Sequence, residues 1–165
     1  MRVFTIGYEG ATVDEVLGAL KRAGVEQVAD VRAIAASRRP GFAKSSLTAN
    51  LAAVGIGYRH LPALGTPKPG RDAAKKGDRA TLEHVYAGQL ELPEAQAEAA
   101  ALRAMVEERP TALLCFERDP AMCHRTLLIR AAMPDAEVSD LLPADAGSSS
   151  VRVNVPCEDG LESHG

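Results

Sequence analysis

The residues TALLCFERDPAMCHR, at positions 111–125, indicate the fold class of this chain most directly. The apolar run at 111–115 is typical of a buried strand, and the apolar residues of 127–132 recur at helical spacing. Asp119 followed by Pro120 fits the cap and the first residue of that helix. In open α/β sheets, ligands bind where the strands end. This strand-to-helix turn therefore predicts a site at the carboxyl edge of a sheet, the edge at which parallel strands finish.

The same alternation runs along the chain. Strands are predicted at 2–7, 25–31, 56–61, 111–117 and 136–141, and helices after a Thr12 capping box, after Ser45, and at 80–91, 94–108 and 121–133. This order predicts a Rossmann-like three-layer α/β sandwich with a mostly parallel sheet of about five strands.

The domain prediction is a single α/β domain at residues 1–142. Residues 143–165 are interpreted as a mobile C-terminal tail, in which 151–155 could add a short edge strand. The segment 62–79, rich in Gly, Pro and Lys, is predicted to be a long loop, and such loops are usually functional or disordered.

Composition excludes some classes of protein. No apolar run reaches transmembrane length, and the first residues lack signal-peptide architecture, so no membrane partner is expected. The chain has three cysteines, an odd number that does not suggest a framework of disulfides. Reduced thiols in a cytoplasm are the usual state of such cysteines. We therefore expect a cytoplasmic protein; nothing in the sequence predicts an oligomeric state.

Charge is unevenly distributed along the chain. Residues 32–79 hold ten Lys and Arg and two acids, whereas residues 81–165 hold six Lys and Arg and fifteen acids. This asymmetry indicates either an anion-facing region or a solvated basic loop. The absence of Trp and an aromatic content of 4% weigh against a surface that stacks nucleic-acid bases.

Four residues are candidates for catalysis. Cys123 is predicted in the first turn of a helix, where unpaired amides stabilise a thiolate; the alternative is a small buried apolar residue. Glu117 and Asp30 are candidates for proton transfer, and His60 is either a general base or a core histidine. No single strand carries all of them, but each lies at or just beyond a predicted strand end.

A second group of residues is predicted to bind an anionic substrate. Most of these residues also follow strand ends, and Lys44 begins a predicted helix. They are Tyr8, Arg32, Ser37, Arg38, Lys44, His124 and Arg125.

The sequence predicts no cofactor and no metal. Residues 7–10 read GYEG and lack the glycine pattern of dinucleotide sites. Cys115, Glu117, Cys123 and His124 suggest zinc, but they contain no closely spaced Cys pair, and consecutive Cys and His on a helix do not easily aim at one ion.

Several motifs occur in an order that resembles a known family. They are TIGY at 5–8, DVR at 30–32, SRRPGF at 37–42 with Lys44, GIGYRHLP at 55–62, and CFE at 115–117 followed by CHR at 123–125. Over about residues 3–142 the chain resembles the domain-of-unknown-function 488 family. The resemblance implies a compact α/β protein with shared polar residues at Asp30, Arg32, Ser37, Arg38, Lys44, Glu117, Cys123, His124 and Arg125. Family members commonly carry a Pro shortly after the Asp-Val-Arg motif, where this chain has AIAAS at 33–37.

Three hypotheses follow. The first is an enzyme that binds a small phosphate-bearing or nucleotide-like anion at the carboxyl edge of the sheet. The second is a nucleic-acid-binding or regulatory module that uses the basic region. The third is a redox sensor in which Cys115 and Cys123 form a reversible disulfide, which requires their Cα atoms to approach within about 7 Å.

Overall fold

The computed structural model describes residues 1–143 and 151–154. The strands are β1 Arg2–Gly7, β2 Gln27–Asp30, β3 Gly57–His60, β4 Thr111–Cys115, β5 Glu137–Leu141 and β6 Val151–Asn154. The helices are α1 Val13–Arg22, α2 Lys44–Ala53, α3 Lys68–Lys75, α4 Arg79–Leu90, α5 Pro93–Glu108 and α6 His124–Ala132, with short 3-10 helices at Pro62–Leu64 and Pro120–Met122.

One sheet organises these elements, in the order β3-β2-β4-β1-β5-β6. The first five strands are parallel, and β6 pairs antiparallel with β5 at one side of the sheet. The predicted Rossmann-like arrangement with a mostly parallel sheet is confirmed. Because β1 to β5 are parallel, the residues that follow β1, β2 and β4 meet at the carboxyl edge.

Helices cover both faces of the sheet and make three layers. Side chains alternate along each strand, so Leu113 faces one core and Leu114 faces the other. Helices α4, α5 and α6 pack on the Leu113 side, and α1 and α2 pack on the Leu114 side. The central strands are buried on both faces, which explains why they are apolar runs without polar alternation.

The predicted long loop at 62–79 is wrong. The segment forms a 3-10 helix and then α3, which begins after Pro67. Its buried residues are Gly70 and Ala73, and a Cβ on Gly70 would press against Thr66 and Val85. Close packing on α4 through small residues stabilises this helix, and small residues leave no periodic pattern of large apolar side chains to detect.

Two further details differ from expectation. The predicted cap at Ser45 is wrong: α2 begins at Lys44, and its N-cap Ala43 makes no side-chain hydrogen bond. The structure has a strand at Val151–Asn154, within the predicted tail. The mobility expected of the rest of that tail concerns 144–150 and 155–165, which lie outside the described residues.

Helix length and polarity also bear on membrane insertion. Within the described residues, every helix is too short or too polar to cross a membrane.

Replacing Gly7 by Ala should destabilise the protein. A Cβ at the end of β1 would overlap the carbonyl oxygen of Glu117 and lie 2.8 Å from Nη1 of Arg125. Overpacking of this kind costs about 1–3 kcal/mol. We expect Gly7→Ala to lower the urea midpoint accordingly. The control is Gly88→Ala in α4, where a Cβ meets no atom within 4 Å and gains up to about 1 kcal/mol of helix propensity. Equal stability of Gly7→Ala and wild type would contradict the close approach.

Candidate functional site

Asp30 and Arg32, at the end of β2, form a buried ion pair. Arg32 donates from Nε to Oδ1 of Asp30 at 2.8 Å and from Nη2 to Oδ2 at 2.7 Å, and the two side chains are 6% and 0% exposed. Its Nη1 donates to the hydroxyl of Tyr8 at 3.1 Å and to the carbonyl oxygen of Phe42 at 2.8 Å. Four of the five N–H groups of this guanidinium therefore have protein acceptors, which fixes its orientation.

Two further neighbours, Tyr58 and His60, complete this network. Tyr58 donates its hydroxyl to Oδ2 of Asp30 at 2.5 Å, and burial together with that hydrogen bond raises the pKa of Tyr58. Nε2 of His60 lies 2.8 Å from the carbonyl oxygen of Arg32 and donates to it. Tyr8, Asp30 and His60 thus lie around Arg32 and hold it in place.

Cys115 and Cys123 meet beside this network, and their sulfur atoms are in direct contact. Cys115 ends β4, and Cys123 is the N-cap of α6, where its Sγ accepts from the amide of Arg125 at 3.5 Å. The prediction that Cys123 lies in the first helical turn is wrong, because the 3-10 helix Pro120–Met122 ends before it and its backbone is extended, with φ −134° and ψ 150°. The extended cap lets its sulfur reach the end of β4.

His124 is buried, and its hydrogen bonding fixes its tautomer. Nε2 lies 2.7 Å from the carbonyl oxygen of Val31, which only accepts, so Nε2 carries the proton. Nδ1 then has its lone pair free, 3.7 Å from Sγ of Cys123. Burial lowers the pKa of His124 to about 4, so the imidazole is neutral near pH 7.

Arg125 is fully buried and lies beneath the loop that joins β4 to the 3-10 helix. Its Nη1 donates to the carbonyl oxygen of Glu117 at 2.6 Å and to Sγ of Cys115 at 3.4 Å, and its Nη2 donates to the carbonyl oxygen of Arg118 at 3.1 Å. Burial lowers its pKa to about 10, so it stays charged at neutral pH. This side chain, which the sequence predicts to bind an anion, holds the loop and does not line the cavity described below.

The carboxyl group of Glu117 completes the cluster. Its Oε2 lies 3.2 Å from Sγ of Cys115. Burial raises the pKa of Glu117, against the smaller opposing effects of a backbone hydrogen bond and of Arg125. The carboxyl therefore holds a proton more readily than an exposed glutamate does.

A cavity of about 60 Å³ opens onto these groups at the carboxyl edge. Two arginines, two cysteines, a neutral histidine and a glutamate share its wall with apolar residues; the lining is Arg32, Thr66, Arg71, Ala74, Leu82, Cys115, Phe116, Glu117, Cys123 and His124. Oγ1 of Thr66 is buried and has no hydrogen-bond partner within residues 1–143 and 151–154. A buried hydroxyl without a protein partner among the described residues is free to bond a polar group that enters the cavity.

The structure brings only some of the predicted residues to this cavity. Arg32, Glu117, Cys123 and His124 line it. Arg38 and Lys44 are exposed on the same edge, and Oγ of Ser37 accepts from the amide of Arg39 at 3.1 Å within the loop. These last three residues are not part of the cavity wall.

Sequence reasoning missed two polar residues of the wall, Thr66 and Arg71, which lie in the segment predicted as a loop. Cys115 was named only in the zinc and redox-sensor hypotheses. Arg71 donates from Nη1 to the carbonyl oxygen of Thr66 at 2.8 Å, which ties α3 to the turn before it. The basic composition of 62–79 was the available signal, but composition does not tell which cation faces inward.

Comparison with known proteins gives one match. Residues 12–132 match the family model described as "Domain of unknown function DUF488". No curated protein and no solved structure matched the chain.

Replacing Asp30 by Asn should be strongly destabilising. The substitution leaves the buried guanidinium of Arg32 without its carboxylate, and breaking a buried pair in this way costs about 3–5 kcal/mol. The control is Asp72→Asn, since the pair of Asp72 with Lys68 is exposed and should contribute nothing measurable. Urea denaturation of the three proteins measures the difference. Equal midpoints for Asp30→Asn and Asp72→Asn would contradict the structural role of the Arg32 pair.

The free energy of unfolding should depend on the protonation of His124. Because its folded pKa is about 4 and its usual value is 6.5, only the unfolded chain takes up this proton between those values, so stability falls as pH falls through that window. The loss between pH 7 and pH 4.5 amounts to roughly 2–3 kcal/mol. We expect the drop in His124→Gln to be smaller by that amount, measured by urea denaturation with reductant and chelator present. His84→Gln, at an exposed position on α4, should behave as wild type. The same pH dependence in His124→Gln and wild type would show that His124 does not titrate in this way.

Proposed function

We propose that this chain, which belongs to the DUF488 family, is an enzyme that binds a small phosphate-bearing or nucleotide-like anion at the carboxyl edge of its sheet. The observation that carries the proposal is the cavity in which two arginines and the buried hydroxyl of Thr66 lie beside the sulfur of Cys123.

The charges of the cavity wall favour an anion. Arg32 keeps one N–H beyond the four that protein acceptors use, and Arg71 has one Nη group bonded to the backbone of its own segment. Thr66 can donate its hydroxyl to the same ligand. Guanidinium groups arranged in this way suit phosphate or carboxylate oxygens.

The size of the cavity limits what enters it. About 60 Å³ holds a few water molecules or one phosphoryl-sized group, not a whole nucleotide. In the proposal the anionic group occupies the cavity, and the rest of the molecule lies outside, where Arg38 and Lys44 are exposed.

In this proposal Cys123 and Glu117 are the catalytic residues. The cap position at the start of α6 and the amide of Arg125 favour a thiolate at Cys123. Glu117 lines the cavity and is assigned proton transfer. Asp30 and His60, the other candidates, are bonded to Arg32 and do not belong to the cavity wall.

One observation favours the redox sensor as a second candidate. The sulfurs of Cys115 and Cys123 are in contact, as a reversible disulfide requires. Their Cα atoms are 7.6 Å apart, however, which is farther than a disulfide spans without movement of the backbone. The enzyme remains the better-supported proposal.

The binding step of the proposal is testable by thermal shift. We expect inorganic phosphate or a phosphorylated metabolite to raise Tm by roughly 5–10 °C at 100 times its Kd. Arg71→Ala and Thr66→Val should each weaken that ligand about tenfold or more, because the first removes a charged donor from the cavity wall and the second removes a buried hydroxyl. Arg38→Ala and Lys44→Ala should leave the affinity for inorganic phosphate unchanged, since both side chains are exposed.

The turnover step uses the compound that binds. Its conversion, followed by phosphorus NMR, should be lost in Cys123→Ser and retained in Cys157→Ser. A screen in which no small anion raises Tm, or in which Arg71→Ala binds as wild type does, would contradict the proposal. A shift given only by oligonucleotides and lost at high salt would favour the nucleic-acid-binding module instead.

A further inference from the structure

We propose that Cys115, Cys123 and His124 form a binding site for a thiophilic divalent cation, with Zn²⁺ as the natural occupant. The two sulfurs and an imidazole nitrogen all lie within 4.8 Å of one another, and all three residues are buried. Two thiolates and one imidazole are a ligand set that zinc prefers.

One pair of the ligand atoms has the spacing that a tetrahedral ion requires. With Zn–S of about 2.3 Å and Zn–N of about 2.0–2.1 Å, a sulfur and a nitrogen on one ion lie about 3.6 Å apart. Sγ of Cys123 and Nδ1 of His124 are 3.7 Å apart. This pair therefore needs almost no rearrangement to share an ion.

The backbone around the two cysteines also leaves room for an ion. Their Cα atoms are 7.6 Å apart, beyond the roughly 7 Å that a disulfide bridges without backbone movement. Two sulfurs on one zinc lie about 3.8 Å apart. Rotation of the side chains of Cys115 and Cys123 away from contact would reach that separation with the backbone in place.

Hydrogen bonds behind the ligands hold them in the required state. The donation from Nε2 of His124 to the carbonyl oxygen of Val31 directs the lone pair of Nδ1 towards the sulfurs, an arrangement typical of metal-binding histidines. Nη1 of Arg125 donates to Sγ of Cys115, and its backbone amide donates to Sγ of Cys123. Such N–H donors stabilise thiolates.

The side chains of Cys123 and His124 can reach one ion although the residues are consecutive in sequence. Consecutive Cys and His diverge when both belong to a helix, but Cys123 precedes α6 with an extended backbone. Only His124 is helical, which lets the two neighbouring side chains converge.

The fourth position of the ion would face the cavity, because all three ligands line it. Three protein ligands and one open position distinguish catalytic zinc sites from structural ones. Binding releases the two thiol protons, and the charge of the ion balances the two thiolates that would otherwise repel an anion. With the metal bound, Cys123 acts as a ligand and not as a free thiolate. That the anion reaches the open position rests on the proposed function; the binding of the metal does not.

The test is a titration of the reduced, metal-free full chain with Co²⁺ and then with Zn²⁺. We expect one Co²⁺ per chain, with thiolate-to-cobalt charge-transfer absorption and the visible bands of tetrahedral Co²⁺, both abolished by Zn²⁺. Cys115→Ser, Cys123→Ser and His124→Gln should each lower the affinity for Zn²⁺. Loss of a hydrogen bond that supports a ligand already costs roughly 10–100-fold in affinity, so loss of a ligand should cost at least as much. Cys157→Ser and His84→Gln are the matched controls and should bind as wild type does.

The wild-type spectrum alone is decisive even where a variant fails to fold. Absence of the charge-transfer band from the fully reduced chain would overturn the proposal. A chain that binds no Co²⁺ but forms a Cys115–Cys123 disulfide when treated with peroxide would favour the redox sensor. Alkylation followed by measurement of the intact mass detects that disulfide. Failure of the proposed function is distinguishable from failure of the metal site. In that case the metal binds, but no small anion raises Tm.

Discussion

The buried guanidinium of Arg125 is the constraint on which the site depends. A charge taken out of water costs several kcal/mol unless acceptors replace the lost hydration. Its acceptors are the carbonyl oxygens of Glu117 and Arg118 and the sulfur of Cys115. Because two of these lie in the loop after β4, the loop is held against the sheet, and Gly7 leaves the space that this close approach needs.

Arg32 is also a buried charge, but a different kind of acceptor replaces its hydration. It is paired with a full carboxylate, Asp30, whereas the donors of Arg125 contact backbone dipoles and a sulfur. The difference sets their uses, since Arg32 lines the cavity and Arg125 lies beneath the loop. Two buried arginines at the same edge of the sheet are thus not equivalent, and only their surroundings distinguish the cation that lines the cavity from the one that holds the loop.

Much of the fold could be predicted from local patterns. The apolar run of β1 and the capping box of Thr12 and Glu15 are visible in the sequence and are present in the structure. Helix α3 was not predictable in this way, because its buried face is made of Gly70 and Ala73 and depends on the close approach of α4.

The edge of the sheet at which the cavity lies was predictable, and the full set of residues that line the cavity was not. Strand ends of a parallel sheet converge, so the carboxyl edge followed from the order of elements. Arg38 and Arg71 look alike in a basic stretch, and only the packing of α3 brings the second to the cavity. The position of Cys123 depends on a 3-10 helix, Pro120–Met122, that precedes α6, so that α6 begins a few residues later than predicted. The spacing of the apolar residues does not indicate this 3-10 helix.

The order of the strands also has a consequence for how the chain reaches this fold. In β1, Phe4 pairs with Ala112 on one side and Val3 with Val138 on the other. Strand β1 is therefore separated from both of its neighbours by more than 100 residues of sequence, and contacts so distant in sequence slow folding. The family match at 12–132 omits both β1 and β5, the two strands that pair with each other beside β4. A fragment cut at those limits would leave β4 with an open edge and no Gly7 beneath the loop, and such an edge invites pairing with other chains.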